Sequence, residues 1–133
     1  MNILFVCRYN RFRSKIAEAL FRKLNKDKKL KVKSAGIIKG TKISAAINRS
    51  VREFGIKIDS EPRGLSSELL GWQDLVVVVA DDVPLGLFKG KEGKQVRVWK
   101  IKDTSEGNLK SMREIIIKIQ DKVKLLVKEL SSD

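Results

Sequence analysis

The 133-residue chain has one cysteine and no histidine. A single cysteine excludes a disulfide within the chain, and the lack of histidine removes the commonest metal ligand, so we expect no structural zinc. No apolar run approaches the roughly 18 residues that a membrane-spanning helix needs. The first apolar stretch, Ile3 to Cys7, is short and is followed by arginines, so we expect no signal peptide. These absences predict a cytoplasmic protein that needs neither metal nor cofactor.

The order of apolar patterns predicts a single α/β domain over residues 1–133. Hydrophobic residues make up 42 % of the chain, which is enough for one buried core. Strands alternating with helices predict an open four-stranded parallel sheet with helices on both faces, and ligands bind at the carboxyl ends of such strands. The stripe of the last helix fits a packed terminal helix better than a coiled-coil seam. We predict strands at 2–6, 30–34, 75–80 and 96–101, helices at 14–25, 44–54, 65–70 and 109–130, and a surface loop at 86–94.

The segment from Cys7 to Ser14 joins the first predicted strand to the first predicted helix. In such a connection the loop N–H groups and the positive end of the helix dipole converge on one point, which makes an anion site. Cations and helix N-termini also stabilise a thiolate, so Cys7 is a candidate nucleophile. Arg13 can direct two N–H donors to two phosphate oxygens. Asn10 tolerates the positive φ that a tight loop needs, and Ser14 either donates to the sulfur or caps the helix.

The residues of this segment resemble the low-molecular-weight protein tyrosine phosphatases, together with the arsenate reductases that share their fold. That family has a Cys-x-x-Asn-x-x-Arg-Ser loop after an N-terminal strand, followed by an Ile-Ala-Glu-Ala-like helix start. The chain has these residues at Cys7, Asn10, Arg13, Ser14 and Ile16-Ala17-Glu18-Ala19. The similarity continues through Ser34-Ala35-Gly36, the Glu-Phe-Gly within 51–58, Arg63, and the run before Asp81, and so covers nearly the whole chain.

The resemblance also implies a general acid, an aspartate on the loop before the last helix. Asp103 occupies that place, but Thr104 and Ser105 follow it where the family has a proline and then aromatic residues. Three loop positions also depart from the family. Tyr9 stands where glycine is preferred, Arg11 where a small or aliphatic residue helps to select the leaving group, and Phe12 where a second cysteine often lies.

By this resemblance the protein is a cysteine-dependent phosphatase that acts on phosphorylated protein side chains, with phosphotyrosine favoured, through a cysteinyl-phosphate. Phosphoarginine, small phosphoesters and arsenate stay open as substrates. We expect a monomer that phosphate and vanadate inhibit. Asp81 and Asp82 either shape the pocket or form a solvated turn, and we favour the turn. The predicted site comprises Cys7, Arg13 and Asp103 as catalytic residues, the phosphate-binding loop residues Arg8, Tyr9, Asn10, Arg11, Phe12 and Arg13, and Asn10 and Ser14 as supporting residues.

The basic composition raises a function of a different class. The chain has 29 lysines and arginines against 16 acidic residues, a formal net charge of +13, as nucleic-acid-binding domains often have. The basic residues are spread along the chain, however, and aromatic residues are not interleaved with them in a stacking pattern. A solvated surface that steers anionic substrates is favoured instead, with no specific nucleic-acid or membrane partner. A loop that only binds phosphorylated partners is the third alternative, and the intact Cys7, Arg13 and Asp103 argue against it.

The lone cysteine generates a prediction about arsenate. Reduction coupled to thioredoxin through internal disulfides needs a second thiol that captures the oxidised nucleophile, and the chain has none beside Cys7. We expect no arsenate reduction with thioredoxin, its reductase and NADPH, while a route through an external small thiol stays open. NADPH oxidation measured with and without arsenate tests this. Robust turnover with thioredoxin as sole reductant would contradict the expectation.

Overall fold

The computed structural model of the protein describes residues 1–88 and 94–131, which include a four-stranded sheet. Its strands are β1 (Asn2–Cys7), β2 (Lys31–Gly36), β3 (Leu75–Val79) and β4 (Gln95–Trp99), and their spatial order is β2-β1-β3-β4. Each neighbouring pair is parallel. The predicted open parallel sheet is therefore confirmed.

Helices cover both faces of this sheet. They are α1 (Arg13–Leu24), α2 (Ala45–Arg52), α3 (Ser67–Trp72) and α4 (Leu109–Leu130). Alternate residues of β1 point to opposite faces, so Ile3 and Phe5 join the apolar cluster under α1, α2 and α4. Leu4 and Val6 join a second cluster under α3. Because β1 and β3 are buried on both faces, they are apolar throughout rather than alternating.

Several element boundaries differ from the predicted ones because of local hydrogen bonds. The Ser66 hydroxyl accepts from Leu69 N at 3.1 Å, so α3 begins after this cap at Ser67 rather than at residue 65. The Ile101 N–H donates to Trp99 O at 2.8 Å in a tight turn that ends β4 two residues early. Part of the predicted 86–94 loop is a 3₁₀ turn, 85–88, that buries Phe88, and residues 89–93 lie outside the described residues.

The last helix packs against the rest of the domain, as predicted. Its buried stripe belongs to the apolar cluster that it shares with α1, and Arg113 donates to both carboxylate oxygens of Glu53, which follows α2. Of the helices described, none combines the length and apolar character that crossing a membrane requires. The stripe consists of Met112, Ile115, Ile116, Ile119, Val123 and Leu126.

Two adjacent isoleucines of α4 test this packing. Ile116 is fully buried, whereas Ile117 is 47 % exposed. We expect Ile116→Ala to lower the free energy of unfolding by about 2–5 kcal/mol, because it removes apolar contacts and leaves a cavity. Ile117→Ala should cost less than about 1 kcal/mol. Urea denaturation of both variants gives the comparison. Equal small losses would show that the stripe does not carry the packing of α4.

Candidate active site

The loop that joins β1 to α1 directs its first carbonyl groups towards the segment that follows β2. Asn10, at the middle of the loop, has φ of +56°, the left-handed conformation that the sequence predicted there. The carbonyls before it are used by the segment that follows β2. Cys7 O, Arg8 O and Tyr9 O accept hydrogen bonds from the N–H groups of Ile37, Ile38 and Gly40 at 3.1, 3.0 and 3.1 Å.

The backbone N–H groups of residues 8–12 are left available for a ligand. Within the described chain, none of them donates a hydrogen bond to another residue. The carbonyl and N–H of a peptide point in opposite directions, so anchoring the carbonyls of residues 7–9 on one side directs the N–H groups of residues 8–10 to the other. The N-terminus of α1, at Arg13, adds its dipole at the same point. Loops of this kind at a helix N-terminus are common anion-binding sites in proteins.

Two glycines allow the neighbouring segment to approach the loop this closely. A Cβ atom on Gly36 would lie 2.6 Å from Tyr9 C and 2.7 Å from Asn10 N. One on Gly40 would lie 2.7 Å from Tyr9 O and from Arg11 Cγ. Side chains at these positions would push the loop away and break the bonds to its carbonyls.

The nucleophile candidate, Cys7, contacts a buried polar network behind the loop. Its Sγ lies 2.9 Å from Ser14 Oγ, and Asn10 Nδ2 donates to that same Oγ at 2.8 Å. Because Ser14 Oγ already accepts from Asn10, its own proton is free to point at the sulfur. The helix cap that we considered for Ser14 is wrong, since Ser14 is the second residue of α1 and caps nothing.

The same network extends through the core of the domain. Asn10 Nδ2 also donates to Ser34 Oγ at 2.9 Å, and Ser34 Oγ donates to Glu18 Oε1 at 2.5 Å. Arg22 completes the chain by donating to Glu18 Oε2 and to Val32 O, both at 2.7 Å. The buried carboxylate of Glu18 is therefore paired, and its position on α1 fixes Ser34 of β2 against the loop.

A segment after α2 holds the far side of Asn10. Arg63 N donates to Asn10 Oδ1 at 2.8 Å, which fixes the orientation of the amide. Buried Lys15 donates to Asp59 Oδ1 at 2.9 Å. Burial alone would raise the pKa of the Asp59 carboxyl, but the bond and charge of Lys15, with Glu61 N–H and Arg63, hold that pKa below its ordinary value. This ion pair ties the 59–63 segment to α1.

Arg13 is buried, 2 % exposed, and is oriented by residues after β3 and β4. Its Nη1 donates to Ile101 O at 2.9 Å, and its Nη2 lies 3.0 and 3.3 Å from the two carboxylate oxygens of Asp82. Asp103 Oδ2 is 3.8 Å from Nη2, and Asp81 Oδ1 is 3.9 Å from Nη1. The favoured solvated turn is thus wrong for Asp82, because the loop after β3 lies beside the loop after β1.

A pocket with a cavity of about 70 Å³ lies above the loop. The thiol, the loop and the 103–106 segment surround it, and Ile47 and Met112 add apolar walls. Of the predicted site residues, Asn10 and Ser14 are buried behind the loop, and the Arg8 side chain faces Asp82 at 3.9 Å instead of the pocket. The predicted residues that line it are Cys7, Tyr9, Arg11, Phe12, Arg13 and Asp103.

Arg11 connects three segments around the pocket, a role that no pattern in the sequence indicated. Its Nε donates to Thr41 O at 2.9 Å and its Nη2 to Lys42 O at 3.3 Å. Its Nη1 forms an ion pair with Glu106, three residues after Asp103. Glu106, Ser34 and Glu18 are the polar residues that sequence reasoning left without a role. Ser34 and Glu18 could have been found from the sequence, because both lie in segments that resemble the family.

Comparisons with known proteins agree with this geometry. An arsenate reductase from Archaeoglobus fulgidus is 30 % identical, with a TM-score of 0.77 over 95 % of this chain and 98 % of its own. Two structures share the fold at lower identity. The YwlE arginine phosphatase of Geobacillus stearothermophilus has 23 % identity and a TM-score of 0.83, covering 97 % of this chain and 92 % of its own. A low molecular weight protein tyrosine phosphatase from T. tengcongensis has 24 % identity and a TM-score of 0.81, covering 98 % of this chain and 99 % of its own.

A search of curated proteins gives no match. The family model described as low molecular weight phosphotyrosine protein phosphatase, in contrast, matches residues 2–133. That range contains the loop from Cys7 to Ser14, Asp82 beside Arg13, and Asp103 at the pocket. The chain therefore belongs to the low-molecular-weight phosphotyrosine protein phosphatase family.

Proposed function

We propose that the protein hydrolyses phosphorylated side chains of proteins, with phosphotyrosine as the first choice, through a phosphorylated Cys7. The observation that carries this is the convergence at Cys7. Its sulfur has the Ser14 hydroxyl at 2.9 Å on one side, and the N–H groups of residues 8–12 and the buried Arg13 lie around the pocket that it lines.

In the first step the Cys7 thiolate attacks the phosphorus atom in line with the leaving oxygen. A sulfur–phosphorus bond forms and the phosphorus–oxygen bond to the side chain breaks. Negative charge spreads over the three equatorial oxygens, where the loop N–H groups and Arg13 hold it. Ile101 O and Asp82 occupy two of the five Arg13 N–H directions and so fix the plane of the guanidinium.

Asp103 supplies and then recovers the proton. As a carboxylic acid it donates its proton to the leaving oxygen, and the resulting carboxylate then takes a proton from the water that attacks phosphorus. The sulfur–phosphorus bond breaks, which releases inorganic phosphate and the thiolate. The place of Asp103 supports this role, since its side chain is half exposed at the pocket and its Oδ2 lies 3.8 Å from Arg13.

The ion pair between Arg11 and Glu106 positions this acid. In the resembled family a proline follows the acid, and here Thr104 takes that place. Glu106 is held by Arg11, which is itself fixed by two backbone carbonyls of residues 41 and 42. The pair therefore attaches the 103–106 segment to the nucleophile loop and keeps Asp103 over the pocket.

The proposed function also implies which inhibitors bind, where the protein acts and in which oligomeric state. Phosphate and vanadate should compete with substrate for the loop, since both are oxyanions whose oxygens can accept hydrogen bonds from its N–H groups. A thiol nucleophile works best where it stays reduced, which supports the cytoplasm as its location. We further propose that the protein acts as a monomer, because the pocket is complete within one chain.

Substrates with different leaving groups can distinguish the role of the acid from that of the nucleophile. We expect Cys7→Ser to abolish turnover of every phosphoester. Asp103→Asn should slow substrates with poor leaving groups, such as phosphotyrosine peptides, by roughly 10²–10⁴ and slow activated aryl phosphates much less. Steady-state kinetics on peptides and on p-nitrophenyl phosphate measure both effects. Equal losses for all leaving groups would exclude Asp103 as the acid and direct attention to Asp81 or Asp82. A panel with phosphoserine and phosphoarginine peptides identifies the preferred side chain.

Glu106 has a prediction of its own. If it positions Asp103, Glu106→Gln should lower kcat on phosphotyrosine peptides about tenfold and on p-nitrophenyl phosphate much less. In the Asp103→Asn background the same change should have almost no effect, because the group that it positions is gone. Glu114→Gln, an exposed change of equal charge on α4, is the matched control and should behave as the unchanged protein. Additive losses would refute the positioning role.

A further inference from the structure

A chain of basic concavities leads from the pocket along the edge of the sheet formed by β2. The largest, of about 760 Å³, lies between the end of α1, the start of β2 and α3. It shares Lys33 with a second concavity that reaches Lys39 and Arg63, and this one shares Lys39 with a third. The third ends on Tyr9 and Arg11, which line the pocket. We call this surface the basic track.

Positive charge dominates the basic track. Its acidic members are Asp27 and Glu68. The edge at β4 differs, since the groove there pairs Arg97 with Glu129. Arg22 and Arg11, at the two ends of the basic track, are ion-paired with Glu18 and Glu106. The basic side chains between them are exposed, except that of Lys33, which is half-buried. The basic side chains of the track are Arg11, Arg22, Lys26, Lys28, Lys31, Lys33, Lys39 and Arg63.

Strand geometry sets the length of the basic track. Lys31 and Lys33 lie two positions apart on an edge strand, so both side chains extend from the same face. Cys7 pairs with Gly36, and Lys31 lies at the other end of β2. At 3.3 Å per residue that separation is roughly 16 Å, or about five residues of an extended peptide.

We propose that the basic track binds an acidic, extended segment of the substrate protein, while the phosphorylated side chain of that protein occupies the pocket. Acidic residues about three to five positions from the phosphorylated residue would then contact Lys33 and Lys31. The inference rests on the proposed function and adds the class of substrate, a phosphoprotein with an acidic flank. Attraction of this kind lowers KM and leaves the chemical step unchanged.

The aromatic residues of the basic track favour a peptide over a nucleic acid. A single-stranded nucleic acid needs aromatic faces on which bases stack. The aromatic side chains here are Trp72 and Tyr9, and each has a cation over its ring. Lys33 Nζ lies 4.5 Å from the centre of Trp72, and Arg8 Cζ lies 5.3 Å from that of Tyr9. The surface therefore offers charge more than stacking.

Three phosphotyrosine peptides test the proposal. Two carry acidic residues three to five positions before or after the phosphotyrosine, and the third has serine and glutamine there. We expect kcat/KM for one acidic peptide to exceed that of the neutral peptide about tenfold at low salt, through KM, because several exposed charge pairs act together. The preference should shrink by 0.2 M salt. Turnover of p-nitrophenyl phosphate, which has no peptide flank, should be the same in the unchanged protein and in the variants below.

Matched charge changes separate the basic track from the general field of the protein. Lys31→Glu with Lys33→Glu should abolish the preference. Lys118→Glu with Lys122→Glu, on the exposed side of α4, makes the same change in net charge and should retain it. If the charge reversal at Lys31 and Lys33 prevents folding, Lys31→Gln with Lys33→Gln removes the two charges without reversing them. Activity on p-nitrophenyl phosphate reports folding of each variant.

The outcomes distinguish this inference from the proposed function. If the protein hydrolyses no phosphoester through Cys7, the proposed function fails first. If it does so but shows no acidic preference, or if both variant pairs lose the preference equally, the basic track is overturned. A single-stranded oligonucleotide that inhibits peptide turnover more strongly than the free acidic peptide, and only with Lys31 and Lys33 intact, would overturn it in favour of a nucleic acid.

Discussion

The buried side-chain amide of Asn10 is the constraint on which the site depends. It donates to Ser14 and Ser34, and it accepts from the N–H of Arg63, so all its bonds go to three separate segments. Those bonds hold Asn10 in the left-handed conformation that turns the loop. An unpaired amide at a fully buried position would cost about 1–3 kcal/mol for each lost bond, so the loop cannot relax without disturbing the core.

From this constraint follows the direction of every donor around Cys7. The segment after β2 takes the loop carbonyls, and glycine at position 36 lets it come close enough to do so. The N–H groups then have only the pocket to face. The same network holds the Ser14 hydroxyl 2.9 Å from the sulfur, because Ser14 Oγ accepts from Asn10. A preorganised field of this kind needs no rearrangement when charge develops on a phosphoryl group.

Electrostatics act on two length scales in this protein. Near the thiol, buried Arg13 lines the same pocket as Cys7, and Asp82 keeps Arg13 from being an isolated buried charge. Farther out, the excess of lysine and arginine acts through solvent, where salt screens it beyond about 10 Å. The first scale concerns the chemical step and the second concerns which anionic partner is held near it. The net charge of +13 is therefore compatible with an enzyme and does not by itself indicate a nucleic-acid partner.

The sequence alone determined the sheet, the order of its elements and the nucleophile loop, because these depend on local apolar periodicity and on residue types a few positions apart. It placed β3 within one residue, as its unbroken apolar run reflects burial on both faces, and it identified Asn10 as the position of positive φ. Tertiary structure decided what lies opposite that loop. The contact of Arg13 with Asp82 joins residues 69 positions apart, and the ion pair of Arg11 with Glu106 joins loops from opposite ends of the chain. No spacing in the sequence encodes such pairs, since they arise only when the parallel strands bring their carboxyl ends to one edge of the sheet.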